Sequence, residues 1–338
     1  MKTIIFDAPG KVRMTDLTEP KMKPDEVLLK IHLIGLCGTD LNIYKGNMPL
    51  VSFPRIPGHE ISAEIIDKGN EVPDAIKIGK RATVNPYTSC GKCHACRAGR
   101  FNTCMYNQTM GVQRDGAMLQ YLSVPCQKIY QNDILTLREL ALVEPLSVGY
   151  HAINRGMVCE GETVLVLGCG MIGIGVALAA LQKKATVIIL DLDDKKLELM
   201  KYLGVHYALN NSREDVMKTI LDITNGEGAD VCIEAVGAAA TYRLALEASS
   251  FAGRIVYIGY AHHDIPLDTS LIVKKELDIM GSRNALGEFA DVIKMLEERK
   301  FDASKLITSV YKMNNVGDAF HFWKNNPGEV IKILAEIE

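Results

Sequence analysis

The chain has 338 residues, more than one hydrophobic core usually organises, so two domains are expected. Apolar residues make up 48% and charged residues 23%, a globular composition that leaves no room for a long disordered segment. A net charge of −3, with no basic stripe and no acidic tail, excludes nucleic acid and a membrane surface as electrostatic partners.

Met1 to Lys11 carries a short apolar patch broken by Asp7 and no small-residue cleavage site. It does not read as an export signal, and a cytoplasmic location is expected. From Lys2 to about Pro125, short β-type runs such as Val27 to Ile34 and Ile61 to Ile66 alternate with Gly, Pro, Asn and Asp, the texture of an irregular, mostly β domain. Two scattered groups fall inside it: Gly35-Leu-Cys37-Gly-Thr39-Asp40 and Gly58-His59-Glu60, with Glu144-Pro145 just beyond. Singly each is ordinary, since a lone Cys is usually a small buried hydrophobe and a lone His a satisfied polar group. Thiolate, imidazole and carboxylate are nevertheless the side chains that hold zinc with one position open, although spacing alone does not bring them together.

Cys90-Gly-Lys-Cys93-His-Ala-Cys96, followed by Cys104, is the most specific signal in the chain. Nine cysteines with four crowded here, in a chain without an export signal, point to a metal before disulfides. Four thiolates close a tetrahedral Zn²⁺ shell and leave no position for substrate, so this zinc should be structural.

After Glu144 the rhythm changes to alternating strands and helices. Val164-Leu167, Val187-Leu190, Val231-Glu234, Ile255-Ile258 and Leu277-Met280 read as strands, with amphipathic Lys195 to Tyr202, Asp215 to Ile223 and Ala239 to Ser249 between them. A doubly wound parallel sheet follows from that pattern. Val164 to Leu181 is an apolar and glycine run long enough to suggest a membrane span. Its glycines divide it into strand, turn and buried helix instead. In Gly168-Cys-Gly170-Met171-Ile172-Gly173, Gly168 permits the tight turn, Gly170 admits a pyrophosphate to the backbone, and Gly173 lets helix and strand pack closely. Asp191 ends the next strand 23 residues after Gly168, where a carboxylate accepts the adenosine ribose hydroxyls and repels a 2′-phosphate, favouring NAD over NADP. Glu288 to Glu298 is helix-like, and the tail holds strand-like Ile307 to Lys312 and Val330 to Ile337.

Together these residues resemble the zinc-containing medium-chain dehydrogenases, the superfamily of alcohol, sorbitol and threonine dehydrogenases, over essentially the whole chain. Gly79-Lys-Arg81-Ala-Thr-Val, Gly116 with Tyr121, and Gly253-Arg-Ile-Val-Tyr-Ile-Gly259 extend the likeness. The resemblance implies an α/β protein: a GroES-like, mostly β catalytic domain over 1–148, rejoined by 286–338, and a doubly wound Rossmann NAD-binding domain over 149–285. It implies Cys37, His59 and Glu144 on a catalytic zinc, Glu60 beside the metal as an occasional ligand, Thr39 as proton relay and Asp40 as the acid that orients the histidine. Gly168, Gly170, Met171, Ile172, Gly173, Asp191, Gly259, Ser282 and Arg283 would line the cofactor. Two zinc ions per chain and NAD are the implied cofactors, with a homodimer or homotetramer as the assembly.

Glu144-Pro145 resembles the sorbitol dehydrogenase branch and shifts the expected substrate toward polyols. Gly281-Ser-Arg283-Asn284-Ala285 and Gly111-Val-Gln-Arg114-Asp-Gly116 look most like the branch acting on sugar acids, the galactonate and gulonate 5-dehydrogenases. There Arg114 or Arg283 would face a substrate carboxylate. Asn42 stands where several relatives carry a proton-relay histidine, and Tyr44 and His151 are the alternative candidates. The reaction implied is hydride transfer between a secondary alcohol of a polyol or sugar acid and NAD. L-threonine or polyol-phosphate oxidation, a non-catalytic regulatory protein and a zinc hydrolase stand as rivals; the last leaves the glycine turn unexplained.

Overall fold

The structure is a computed structural model that describes residues 1–213, 215–261 and 263–337. Its elements begin with β1 (Lys2–Ala8), β2 (Lys11–Asp16), β3 (Glu26–Leu36), α1 (Gly38–Lys45), β4 (Glu60–Lys68), β5 (Arg81–Val84), α2 (His94–Arg97), β6 (Tyr121–Pro125), β7 (Ile129–Gln131), α3 (Leu137–Leu140) and α4 (Val143–Arg155). Strands and helices then alternate: β8 (Thr163–Leu167), α5 (Met171–Gln182), β9 (Thr186–Asp191), α6 (Asp194–Tyr202), β10 (Tyr207–Asn210), α7 (Val216–Ile223), β11 (Ala229–Glu234), α8 (Ala239–Ala248), β12 (Ser249–Tyr257), α9 (Thr269–Lys275) and β13 (Asp278–Gly281). The chain ends with α10 (Phe289–Glu297), β14 (Ser309–Lys312), α11 (Val316–Asn325) and β15 (Ile333–Glu336). Two compact units emerge, one of residues 1–144 and 289–338, the other of residues 145–288.

The first unit holds a seven-stranded sheet, β14-β15-β3-β4-β5-β7 with β6 also on β3, and the β1-β2 hairpin. β15 pairs antiparallel with one edge of β3, and β4 with the other, so a C-terminal strand and an early one flank the same backbone. Phe6, Leu29, Ile31, Ile34, Ile61, Ile65 and Phe320 fill its core at 2% exposure or less. Burying large apolar side chains to this degree contributes about 1.5–3 kcal/mol each before chain entropy is counted.

The second unit is a six-stranded, all-parallel sheet of order β10-β9-β8-β11-β12-β13. The order reverses between β8 and β11, which makes the carboxyl end of β8 the switch point where such sheets bind ligands. The long apolar run resolves into β8 and α5, and α5 is buried nearly all round because it is apolar nearly all round. No helix among the described residues is long and apolar enough to cross a membrane. Asp193 starts α6 by accepting the amides of Lys195 and Lys196, and Asp215 caps α7. The sequence pattern leaves out β10 and α9, each short, and α9 buries none of its residues, so no periodicity marks it. The strand-like tail segments contract to β14 and β15.

Candidate metal centres and nucleotide turn

Cys37 leaves β3 and becomes the N-cap of α1. Its Sγ accepts the Thr39 amide at 3.4 Å, while Asp40 Oδ2 accepts the Cys37 amide at 3.0 Å. That reciprocal box fixes the sulfur at the N-terminus of α1. His59 and Glu60 enter β4 behind Gly58, whose φ of 99° lies in the left-handed region. Glu60 faces Gly35 across the β3–β4 pairing, and a Cβ on Gly35 would fall 2.0 Å from Glu60 Oε2. Only glycine leaves room for that carboxylate.

Donor atoms of Cys37, His59 and Glu60 all lie within 4.8 Å of one another, with His59 and Glu60 buried. Asp40 Oδ1 stands 3.8 Å from His59 Nδ1, longer than a hydrogen bond, and neither atom has a hydrogen-bond partner among the described residues. Glu144 lies outside the 4.8 Å set. Its carboxylate, buried as α4 begins, accepts a hydrogen bond from the Tyr87 hydroxyl. Burial pushes the Glu144 carboxyl up to about 7, and it also raises Tyr87 well above a free phenol, with the Glu144 charge adding to the effect. Burial opposes a charged His59, yet Asp40 and Cys37 outweigh it and hold the imidazole well above its ordinary pKa. Burial likewise raises Asp40, with His59 partly offsetting it.

Lys332 is the counter-charge. Its Nζ, on the approach to β15, lies 2.6 Å from both carboxylate oxygens of Glu60 and donates to Leu36 O at 3.1 Å. Burial disfavours the ammonium, but Glu60 reverses the balance and raises its pKa. With Lys332 committed to Glu60, the Cys37 sulfur and the carboxyl groups of Asp40 and Glu144 remain around one imidazole, with Asp40 and His59 each holding an unpartnered atom. A buried set so rich in negative donors fits a divalent cation.

The four cysteines of the 90–104 loop place their Sγ atoms within 4.8 Å of one another. Cys93 Sγ to Cys104 Sγ is 3.9 Å, close to the sulfur separation of about 3.8 Å that zinc–sulfur bonds of about 2.3 Å give in a tetrahedron. Amides of Cys90 and Tyr106 point at Cys104 Sγ and that of Cys93 at Cys90 Sγ. Backbone amides hold Cys90 below an ordinary thiol and bring Cys93 to about 6. The donors fit one tetrahedral zinc.

In the second unit, Gly168 follows β8 with φ 105°, and Gly170 is the N-cap of α5 without a side-chain cap. The opening amides of α5, at Met171 and Ile172, therefore face forward as an anion seat. A Cβ on Gly170 would meet nothing within 4 Å, whereas one on Gly173 would lie 1.8 Å from Gly168 O. The first glycine leaves a cradle open and the second allows close packing. Asp191 Oδ2 accepts the Cys169 amide at 2.6 Å, and Oδ1 accepts those of Leu192 and Asp193. Gly259 packs against the Gly237 amide, and Ser282 is buried with its hydroxyl oxygen unpartnered among the described residues. Arg283 is half-buried. These groups fit a dinucleotide at the switch point.

Of the alternative proton carriers, Tyr44 stacks on Phe320 with ring centroids 5.4 Å apart, and His151 is buried with Nδ1 2.8 Å from Glu288 Oε1. Sequence reading did not single out Lys332, or Tyr87 as a partner of Glu144. The available signals were a lysine inside apolar Val330-Ile-Lys332-Ile-Leu and a tyrosine three residues ahead of Cys90.

Two family models match the chain: an alcohol dehydrogenase GroES-like domain over residues 23–133 and a zinc-binding dehydrogenase domain over residues 171–298. An uncharacterised zinc-type alcohol dehydrogenase-like protein of Haemophilus influenzae is 37% identical, with 99% of this chain and 98% of that protein aligned. L-galactonate-5-dehydrogenase of Escherichia coli is 32% identical over 98% of both. The crystal structure of the short chain alcohol dehydrogenase rspB of E. coli CFT073 with NADH superposes with a TM-score of 0.92 at 29% identity, covering 99% of each chain.

Proposed function

Because the chain belongs to the zinc-dependent alcohol and polyol dehydrogenase family, an oxidoreductase family using zinc and a nicotinamide cofactor, we propose that it oxidises a secondary hydroxyl of a polyol or sugar acid with NAD, reversibly. The observation that carries this reading is the convergence of Cys37, His59 and Glu60 within 4.8 Å, beside a buried Glu144.

Cys37, His59 and Glu144 are the proposed zinc ligands. Glu60 is the weaker donor, since Lys332 already neutralises it, whereas the Glu144 carboxylate accepts from the neutral Tyr87 phenol. Zinc bound there supplies a Lewis-acid position that favours the ionised form of a hydroxyl, and bound NAD supplies the hydride acceptor. Asp40 is the proposed positioning acid for His59, its Oδ1 standing 3.8 Å from Nδ1. Thr39, in the first turn of α1 and half-buried, takes the substrate proton. Gly168, Gly170, Met171, Ile172 and Gly173 seat the pyrophosphate, Asp191 takes the adenosine ribose, and Gly259, Ser282 and Arg283 border the nicotinamide end. The likeness to L-galactonate-5-dehydrogenase supports such a substrate over a simple alcohol.

The test is a spectrophotometric panel of polyols, aldonic acids, sugar phosphates and L-threonine with NAD. Cys37→Ala and His59→Ala should abolish turnover while NAD binding stays measurable; turnover retained in either variant refutes the ligand assignment.

A further inference from the structure

We infer that Arg114 and Lys128 form an anion subsite for a carboxylate or phosphate at the end of the substrate remote from the reacting hydroxyl. The inference rests on the reading of the Cys37–His59 cluster as the reacting centre.

Arg114 is half-buried. Its Nε donates to Gln108 O at 3.2 Å and its Nη2 to Pro86 O at 3.4 Å. Lys128, also half-buried, donates from Nζ to Tyr87 O at 2.6 Å. The two cations are close enough that Arg114 adds to burial in lowering the pKa of Lys128, while burial lowers that of Arg114. Neither has a carboxylate within ion-pair distance among the described residues. Asp115, next to Arg114 in sequence, is turned to Arg55 at 3.0 Å.

Two like charges drawn together and half out of water, with only carbonyl oxygens as partners, cost stability. Holding those carbonyls needs donors but no charge, so a neutral amide would serve as well. A shared anion removes the cost, and a guanidinium beside an ammonium offers it a planar two-pronged face and a point charge.

The position relative to the metal cluster gives the subsite its meaning. Besides Gln108, the carbonyls that anchor the two cations belong to consecutive residues, Pro86 for Arg114 and Tyr87 for Lys128. The Tyr87 side chain runs the other way, donating its hydroxyl to Glu144 and lying near enough to feel the charges of Cys37 and Glu60. A single tyrosine thus spans the interval between the cation pair and the cluster. A carbon chain of comparable length, anionic at one end and bearing its secondary hydroxyl several carbons away, matches that interval. A two- or three-carbon hydroxy acid does not.

The test compares three six-carbon substrates with zinc-loaded enzyme and NAD: neutral glucitol, the hexonate L-galactonate and a hexitol phosphate. The wild type should prefer one anionic substrate over glucitol by about 10- to 100-fold in kcat/KM, through KM, as expected for charge-assisted hydrogen bonds. Which anion wins identifies the end group. Arg114→Gln and Lys128→Gln should each erode that preference while glucitol turnover stays within about twofold, and Arg114→Lys should keep more of it than Arg114→Gln. Equal losses on neutral and anionic substrates, or no preference in the wild type, would overturn the subsite. Calorimetric titration with sodium L-galactonate and with inorganic phosphate gives a readout independent of turnover. Binding weakened by Arg114→Gln supports the subsite even where no substrate is oxidised, in which case the catalytic reading fails alone. A wild type that binds neither anion ends the inference even if glucitol is oxidised.

Discussion

Lys332 places its ammonium 2.6 Å from both carboxylate oxygens of Glu60, with both side chains buried and 272 positions apart along the chain. β15 and β4 lie on opposite edges of β3, and Gly35 on β3 supplies the gap into which Glu60 turns. The pair keeps a carboxylate within reach of Cys37 and His59 while Lys332 balances its charge.

Replacing Lys332 by Met strands an ionised carboxylate in the core, and breaking one side of a buried pair costs about 3–5 kcal/mol. Denaturant unfolding of Lys332→Met should show a loss of that order, and Lys332→Met with Glu60→Gln should recover much of it, because no unpaired charge remains. A double variant as unstable as the single one would mean that the pair is not coupled in this way.

How much of this was legible in the sequence depends on distance along the chain. The four-cysteine loop and the glycine turn declare themselves because all their atoms come from a dozen or so consecutive residues, whose spacing is already geometry. Cys37, His59 and Glu144 could be proposed from residue type, but only the pairing of β3 with β4 brings Cys37 and His59 together. Glu60–Lys332 and Tyr87–Glu144 were beyond reach, since each depends on where a distant element returns. Asp40 was assigned to His59, and the two stand 3.8 Å apart with no hydrogen bond between them. β10 and α9 escaped because neither is long enough to impose a period.

The four-cysteine loop has almost no core of its own. Phe101, Met105 and Tyr106 are exposed, and its helix α2 has four residues. Metal ligation must supply most of its order, as it does in small zinc domains. Metal analysis should find about two zinc ions per chain in the wild type and about one in Cys93→Ser, with faster proteolysis confined to residues 90–107. Two zinc ions retained in that variant would refute the assignment.

Glu288 ends the second unit with Oε1 2.8 Å from His151 Nδ1 and 3.2 Å from Asn154 Nδ2, and with Oε2 accepting the amides of Leu286 and Gly287. Burial works to raise its pKa, but the hydrogen bond and charge of His151 and the two amides prevail and bring it from 4.5 to about 2. A carboxyl depressed by folding contributes stability that is complete above its unfolded pKa and is lost as pH falls from about 4.5 toward 2. Unfolding free energy of the wild type should therefore fall more steeply over that window than that of Glu288→Gln. Parallel curves would show that this carboxylate carries no such linkage.

Asp191 holds three backbone amides at once, those of Cys169, Leu192 and Asp193. In the proposed cofactor site its negative charge would lie at the adenosine ribose and repel a 2′-phosphate. Asp191→Ser removes the charge and releases amides that can then donate to a phosphate. Asp193 and Asp194 remain nearby, the latter bridged to Arg213 at 2.7 Å, so the preference should weaken and not invert. Steady-state kinetics should show the ratio of kcat/KM for NADP over NAD rising by about tenfold, a shift of about 1.4 kcal/mol. An unchanged ratio would mean that cofactor choice is made by other groups and that Asp191 serves only to tie the turn together.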